Sequence, residues 1–415
     1  MSSTETTTDT TSGAAGDLTE FRRQARAWFD EWLEPAKSDD DADHRLELMG
    51  AGEGAENVGR VRAYLGRLAE RGWGAPGWPV EYGGAGLSSE HVRVLAEILR
   101  DYDTPDLYYF SVGLRHAGTA ILEYGSEEQK RRWLPKIANG EEIWAQVFSE
   151  PGAGSDLAAL ATRAEREGDH WRVNGQKVWV SRAHLADWGL MLARTDPDVP
   201  KHRGITAFAL DMRAEGVDVR PLKQANGDEH FNEVFFDDAL IPDEHRIGGV
   251  GDGWRVALTM LAGERTASGG IGTSFGDDAA MVRKLVDLVR RRGLDHDDAV
   301  RQQLAELIIE TRLTERVSAR AIANANAGKK VGPEGSGDKL RKAATVKKAS
   351  AFALSLLGPD GITDGEWQQL FITAPSISIR GGTDEVLLNV IGERVLGLPG
   401  EPRVDKDIPF SEVPR

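Results

Sequence analysis

The spacing of apolar residues changes period twice along this chain, and that alternation limits the fold more than any other feature. From about Leu18 to Gly140 the spacing is helical, with Phe21, Ala25, Phe29 and Leu33 recurring every four residues on one face. A breaker-rich insert holding Gly72, Gly74, Pro76, Gly77, Pro79, Gly83, Gly84 and Gly86 interrupts it. From about Glu141 to Ile247 short apolar or alternating runs take over: Ile143–Phe148, His170–Val173, Lys177–Val180, Trp188–Ala193, Ile205–Leu210, Val217–Val219 and Val234–Phe236. Helical spacing returns from Trp254 to about Leu396. This order predicts an α+β fold: an N-terminal helical domain over 18–140, a middle antiparallel β-barrel domain over 141–248 and a C-terminal helical bundle over 249–398. Residues 1–17 read as a disordered tail, and 399–415, with Pro402, Pro409 and Pro414, as a surface strap or tail.

Composition narrows the function. The 415 residues are 40% apolar and 28% charged, enough for a large core. Sixty-seven acidic against 51 basic side chains give a net charge of −16, which opposes non-specific binding to nucleic acid or to an anionic membrane face. Cysteine is absent, so disulfides, thiolate metal sites and thiol nucleophiles are excluded. No apolar run approaches the roughly eighteen residues that span a bilayer. Met1 to Asp17 carries acidic residues but no Lys or Arg, unlike a signal or transit peptide, so the cytoplasm is the expected location. The nine histidines form no close metal-ligand pattern, and no metal is expected. A GxSxG match at Gly272–Gly276 follows a helical pattern, not the strand that a nucleophile elbow needs. No P-loop is present, and no GxGxxG follows a clear strand.

Four segments carry the chemistry. In Gln146-Val-Phe-Ser-Glu-Pro-Gly-Ala-Gly-Ser-Asp156 a strand ends in a turn whose N–H groups lie open beside Ser149 and Ser155. In Asn174-Gly-Gln-Lys-Val-Trp-Val-Ser181 an expected Asn-Gly hairpin turn leads into a strand that puts Trp179 and Ser181 on one face. An indole there can lie on a flat heterocycle while the hydroxyl meets its edge. In Gly253–Arg265, Ala257, Met260, Leu261 and Glu264 fall at i, i+3, i+4 and i+7, so one carboxylate shares an apolar stripe. A carboxyl facing such surroundings is raised by desolvation toward the range of a general base. In Ile379-Arg-Gly-Gly-Thr-Asp-Glu385, Thr383 is positioned to cap the final helix, whose N-terminal N–H groups suit oxygen ligands. Taken singly, each segment also suits an ordinary turn, core strand, helix rim or cap.

In this order the four segments resemble the acyl-CoA dehydrogenase family, over residues 18 to 398. Gly72-Trp-Gly-Ala-Pro-Gly-Trp-Pro79, His230-Phe-Asn-Glu-Val-Phe-Phe236 and Asn389–Pro399 support the likeness. The resemblance implies FAD at a subunit interface and oxidation of an acyl-CoA thioester to the 2,3-enoyl-CoA. It implies that Gln146, Phe148, Ser149, Trp179 and Ser181 line the flavin, that Thr383 and Glu385 meet its other end, and that Ser155 and Arg265 attend the substrate. An electron-transfer flavoprotein is the implied acceptor, and a homotetramer, or a heterotetramer with a related subunit, the implied assembly.

Two departures matter. Many relatives carry the base just before Gly-Thr in the fourth segment, where this chain has Gly381; others place it on the third segment, where Glu264 matches. Glu264 is therefore the expected base. The family's Arg-x-x-Phe-Gly and Gln-x-x-Gly-Gly-x-Gly segments, which complete the FAD site across subunits, read here as Arg290–Asp295 and Ser355–Gly361. Such divergence resembles a bacterial subgroup that handles bulky acyl-CoAs such as steroid side chains. The rival readings are a non-catalytic partner subunit, and a flavin oxidase or monooxygenase on the same fold. Lys339, Lys342, Lys347 and Lys348 read as a solvated helix face.

Overall fold

A computed structural model describes residues 10–36, 55–265, 278–326 and 335–413. The glycine-rich stretch at 266–277, which holds the GxSxG match, lies outside the described residues, as do the side chains of Glu264 and Arg265.

The N-terminal part contains α1 (Thr10–Asp30), α2 (Ala55–Ala69), α3 (Ser89–Leu99), α4 (Gly118–Tyr124) and α5 (Glu127–Ala138). Helix α1 starts at Thr10, so it overlaps the stretch expected to be a disordered tail; Ala14 and Ala15 there are strong helix formers. The four-residue stripe holds: Ala25 and Phe29 are fully buried, and Phe21 and Leu33 pack beside them against Val61, Leu65, Leu95 and Ile98. Between α3 and α4 the chain runs through a 3-10 turn, Tyr108–Phe110, and a π-helical stretch, Val112–Ala117. That wide turn packs on a helix of the C-terminal part, α6 (Gly253–Arg265).

The strands are β1 (Trp144–Val147), β2 (Arg163–Glu167), β3 (His170–Ser181), β4 (Trp188–Arg194), β5 (Ile205–Asp211), β6 (Val217–Leu222), β7 (Phe231–Pro242) and β8 (Arg246–Ile247). They form one sheet in the order β6-β7-β3-β2-β4-β5-β8, with β1 added beside β4. This corrects the expected antiparallel barrel. The end strands β6 and β8 do not pair with each other, so the sheet stays open, and β1 and β2 both run parallel to β4. The apolar run of β4 is continuous because both its faces are covered. Trp188, Leu190 and Leu192 join a core with α5 and α6, while Met191 and Ala193 join the core under α1–α3.

The Asn-Gly pair is not a hairpin turn. His170–Val173 and Lys177–Val180, read as two runs, belong to one strand, β3, and the register against β7 slips between Val173 and Gly175. Gly175 sits at φ 151°, and a Cβ there would fall 2.6 Å from Thr162 Oγ1. A residue with a side chain would not fit that bulge. The true hairpin is the next turn upstream, Gly168 joining β2 to β3.

The C-terminal part consists of α6 (Gly253–Arg265), α7 (Asp278–Arg291), α8 (Asp298–Asn326), α9 (Gly335–Leu357), α10 (Glu366–Thr373) and α11 (Asp384–Arg394). Helices α7 to α10 share a third core, with Leu285, Val346, Ala349, Phe352 and Trp367 inside it. The last residues are a strap docked on the loop between β4 and β5: Phe410 N donates to Val199 O, and Ser411 N to Pro197 O. Phe410 is buried, with the Arg194 guanidinium 3.8 Å from its ring centroid. Replacing Phe410 with Ala should cost about 3 kcal/mol or more of unfolding free energy, the usual loss for a buried Phe. Urea denaturation would read this as a lower midpoint, and an unchanged midpoint would mean that the strap adds nothing to the fold.

Candidate active site

The first two segments meet. Val178 N donates to Ser149 O at 2.9 Å, so the end of β1 lies against the stretch of β3 that carries Trp179. Beneath that contact is a buried ion pair: Lys177, with no exposed surface, reaches Phe148 O and Glu150 Oε1, both at 2.8 Å. Glu150 also accepts from Ala161 N at 2.6 Å and Thr162 N at 2.9 Å. Burial alone would raise the Glu150 carboxyl, but Lys177 and these donors outweigh it and hold it below the usual range. Burial pulls the Lys177 ammonium down to about 8, against the pull of Glu150.

Just beyond Lys177 the register against β7 slips again, and Trp179 takes φ 61°. Its indole is 56% exposed and meets Phe231 edge to face, the ring centroids 5.8 Å apart. A bulky residue held in the left-handed region with its ring toward solvent is an uncommon state that needs a strong framework. Arg182, φ 53° and buried, is a second left-handed residue, so Ser181 lies between two strained positions of the chain. Trp179 and Ser181 were expected to share a face; the register slip makes Lys177 and Val178 both buried, and beyond it burial alternates again, with Val178 and Val180 inside and Trp179 and Ser181 more exposed.

The turn that carries Ser155 is held at both ends. Glu150 N and O pair with Ala153 O and N, closing its first half. At the far end Asp156 accepts from the buried Lys201 at 2.7 Å, and Lys201 also reaches Asp405 of the C-terminal strap at 2.5 Å. Ser155 itself is exposed, and a Cβ at Gly152 or Gly154 would meet nothing within 4 Å. Two lysines thus sling an open turn between two carboxylates.

In the third segment Ala257 and Met260 are buried and Leu261 is half-buried, so the expected stripe exists as far as the described side chains run. Met260 O lies 3.2 Å from His116 Nδ1 of the π-helical stretch, which ties α6 to the N-terminal part. In the fourth segment Thr383 caps α11 by accepting from Val386 N, while Glu385 is exposed in the first turn. Gly381 and Gly382 are both left-handed, and Lys339 donates to the carbonyls of Arg380, at 2.5 Å, and of Gly382. Lys347 donates to Ser378 Oγ at 2.6 Å. Lys339 and Lys347 therefore support this turn and are not merely part of a solvated face. From the same turn Arg380 interacts electrostatically with Tyr108 of the N-terminal part and with His230, just before β7.

Sequence reading passed over Lys177, Lys201, Tyr108, Arg182 and His230. The signal for Lys177 was a cation at an inward position of an apolar strand; Tyr108 lay in a stretch with no clean period. Among the described residues no group of three or more His, Asp or Glu could hold a metal, and no helix is long and apolar enough to cross a membrane.

A helical layer, an open middle sheet and a second helical layer, with exposed aromatic and glycine turns where the three meet, define an enzyme scaffold of the acyl-CoA-oxidising kind. Residues 16–141, 145–239 and 251–396 match the N-terminal, middle and C-terminal domains of acyl-CoA dehydrogenases. The chain is 38% identical over 399 residues to acyl-CoA dehydrogenase IpdE1 of Mycobacterium tuberculosis, covering 93% of this chain and 99% of that protein. It is 39% identical over 333 residues to acyl-CoA dehydrogenase FadE34 of the same organism, covering 80% of this chain and 45% of that protein. Among solved structures, the Tcur3481-Tcur3483 steroid ACAD superposes with a TM-score of 0.72 at 28% identity, covering 93% of this chain and 98% of that one. The chain belongs to the acyl-CoA dehydrogenase family, a family of flavoproteins, and is an oxidoreductase of that type.

Because Lys177 and Glu150 hold each other buried, Lys177→Met should cost about 3–5 kcal/mol by stranding a carboxylate, while a double Lys177→Met, Glu150→Leu change should recover most of that loss. Glu150 is lowered in the folded state, so its stabilisation is present above about pH 4.5, its unfolded value, and lost as pH falls through the folded one. Glu150→Gln should accordingly flatten the acid limb of the stability profile, which denaturation midpoints between about pH 3 and 7 would show.

Proposed function

We propose that the chain oxidises an acyl-CoA thioester to the 2,3-enoyl-CoA with FAD as its cofactor and Glu264 as the base. The observation that carries this reading is the exposed, strained Trp179 indole set beside Ser149 by the Val178–Ser149 bond. An indole left in solvent on a costly backbone suits a flat ring system that covers it. Gln146, Phe148, Ser149 and Ser181 would hold that ring, with Thr383 and Glu385 toward the cofactor's other end. The chemistry supplied by bound FAD is acceptance of the β-hydride at N5.

Glu264 takes the α-proton onto a carboxylate oxygen. Support comes from the helical stripe Ala257, Met260, Leu261, whose next member it is. The turn around Ser155, clamped at Glu150 and Asp156, orients the thioester end, with Arg265 beside the base. Such prior fixing lowers the entropy cost of bringing the α-carbon and carboxylate together. Exposed apolar residues on the C-terminal helices, among them Ile309, Leu313, Phe371, Ile372 and Leu388, suit burial in an assembly. We read that assembly as a homotetramer, or a heterotetramer with a related subunit that supplies the cofactor contacts missing from Arg290–Asp295 and Ser355–Gly361. An electron-transfer flavoprotein is the proposed acceptor, and the cytoplasm the proposed location.

Anaerobic mixing of the flavin-loaded protein with acyl-CoA should bleach the flavin band, and Glu264→Gln should slow that bleaching by about 10²-fold or more and abolish α-proton exchange with deuterated water. Wild-type exchange in the variant would remove Glu264 from the role. Colourless protein that gains flavin and activity only with a second, catalytic subunit would favour the non-catalytic reading.

A further inference from the structure

Beside Ser181 lies a polar cluster that the steps above do not use, assembled from all three parts of the chain. Tyr108, from the 3-10 turn, is raised by burial, while Ser181 and Arg182 beside it favour its ionised form. Its phenol carries one O–H donor. The Arg182 guanidinium stacks over the neighbouring rings, 4.8 Å from the Tyr108 centroid and 3.6 Å from that of Tyr109. Arg380 enters from the turn before α11 and acts on both Tyr108 and His230. Asp106 and Asp228 belong to the same surroundings.

His230 is the most telling member. Gln224 Nε2 lies 2.9 Å from its Nδ1, and an amide nitrogen only donates, so Nδ1 accepts and the ring proton sits on Nε2. That Nε2 is buried and meets no acceptor among the described residues. Burial, helped by Arg182, pulls the imidazole down to about 4, so the ring is neutral at pH 7. Buried N–H groups without an acceptor are rare in native proteins and call for one.

The cluster borders the reacting end of the site. Ser181 is one of the proposed flavin-lining residues, and Arg380 directly precedes Gly381, where many relatives carry their base. We propose that Tyr108 and His230, in the positive field of Arg182 and Arg380, hydrogen-bond an acceptor oxygen on the acyl group, so that the preferred substrate is an oxygenated acyl-CoA and not a plain hydrocarbon one. The proposal rests on the acyl-CoA reading and narrows it. A neighbourhood of donors selects against a chain that brings no acceptor, because binding such a chain leaves the donors buried and unmet.

The test is steady-state turnover of three acyl-CoAs matched in length, one plain, one bearing a ketone and one a terminal carboxylate, by the flavin-loaded protein and by its His230→Phe and Tyr108→Phe variants. The wild type should favour at least one oxygenated substrate in kcat/KM by about tenfold or more, the worth of one well-made hydrogen bond. In each variant that ratio should fall to within about twofold, with flavin content unchanged. Whether the ketone or the carboxylate is preferred identifies the oxygen. Equal turnover of all three by the wild type overturns this proposal alone, as does a preference that survives in both variants. Loss of flavin from both variants also overturns it, by assigning the cluster to the cofactor. A wild type that oxidises none of the three overturns the acyl-CoA reading as well.

Discussion

One ammonium group, Lys177 Nζ, joins the end of β1 to the irregular half of β3, and the shape of the site depends on it. Its bonds to Phe148 O and Glu150 Oε1 fix the carbonyl just before Ser149 and the carboxylate just after it. On its own strand it sits two residues before Trp179, where the register slips and φ turns positive. Strain of that kind costs about 1–3 kcal/mol per residue and persists only where the surroundings leave no easier path. Here those surroundings are a buried charge that cannot move without stranding its partner. Burying two charges is expensive in itself, which explains why Glu150 is met by two backbone N–H groups in addition to Lys177.

Lys201 repeats the device at the other end of the same turn. It is nearly as buried as Lys177, and its partners are Asp156 from the turn and Asp405 from the strap. Fixing both ends leaves Pro151, Gly152, Gly154 and Ser155 open to solvent around a buried Ala153 without making them loose. The strap is thereby coupled to the site: Phe410 anchors it on Arg194, and Asp405 carries that anchorage to Lys201 and Asp156. A segment that reads as a proline-rich end thus takes part in positioning Ser155.

What the sequence made legible were the elements whose signal is local. The four-residue stripe of α1, the apolar runs of β1, β4, β5 and β7, and the Thr383 cap each follow from short-range periodicity or a single side-chain bond. The misses are features fixed at a distance. Asn174-Gly175 reads as a turn because nothing nearby says that Thr162, from the chain entering β2, crowds it into a bulge. Sheet closure depends on whether β6 and β8 meet, which no run of residues encodes. Strand β2, charged and alternating, hides because only one of its side chains, Ala164, is buried. Within the site, Trp179 and Ser149 were recognisable as residues, but their juxtaposition depends on Lys177.

The fourth segment shows why a carboxylate at position 381 and the present turn are poor companions. Gly381 and Gly382 both adopt positive φ, 63° and 92°, conformations that cost a residue with a side chain about 1–2 kcal/mol each. Lys339 then bonds the carbonyls on either side, of Arg380 and Gly382, and so fixes the path of the backbone between them. The result sends Arg380 toward Tyr108 and His230. A side chain at 381 would have to break the turn or bear the strain, and either would disturb the guanidinium one residue away. With the base at the end of α6, as proposed above, this turn is free to present a cation instead of a carboxylate. A change of base and a change in what the acyl group is offered are, on this view, two consequences of the same pair of glycines.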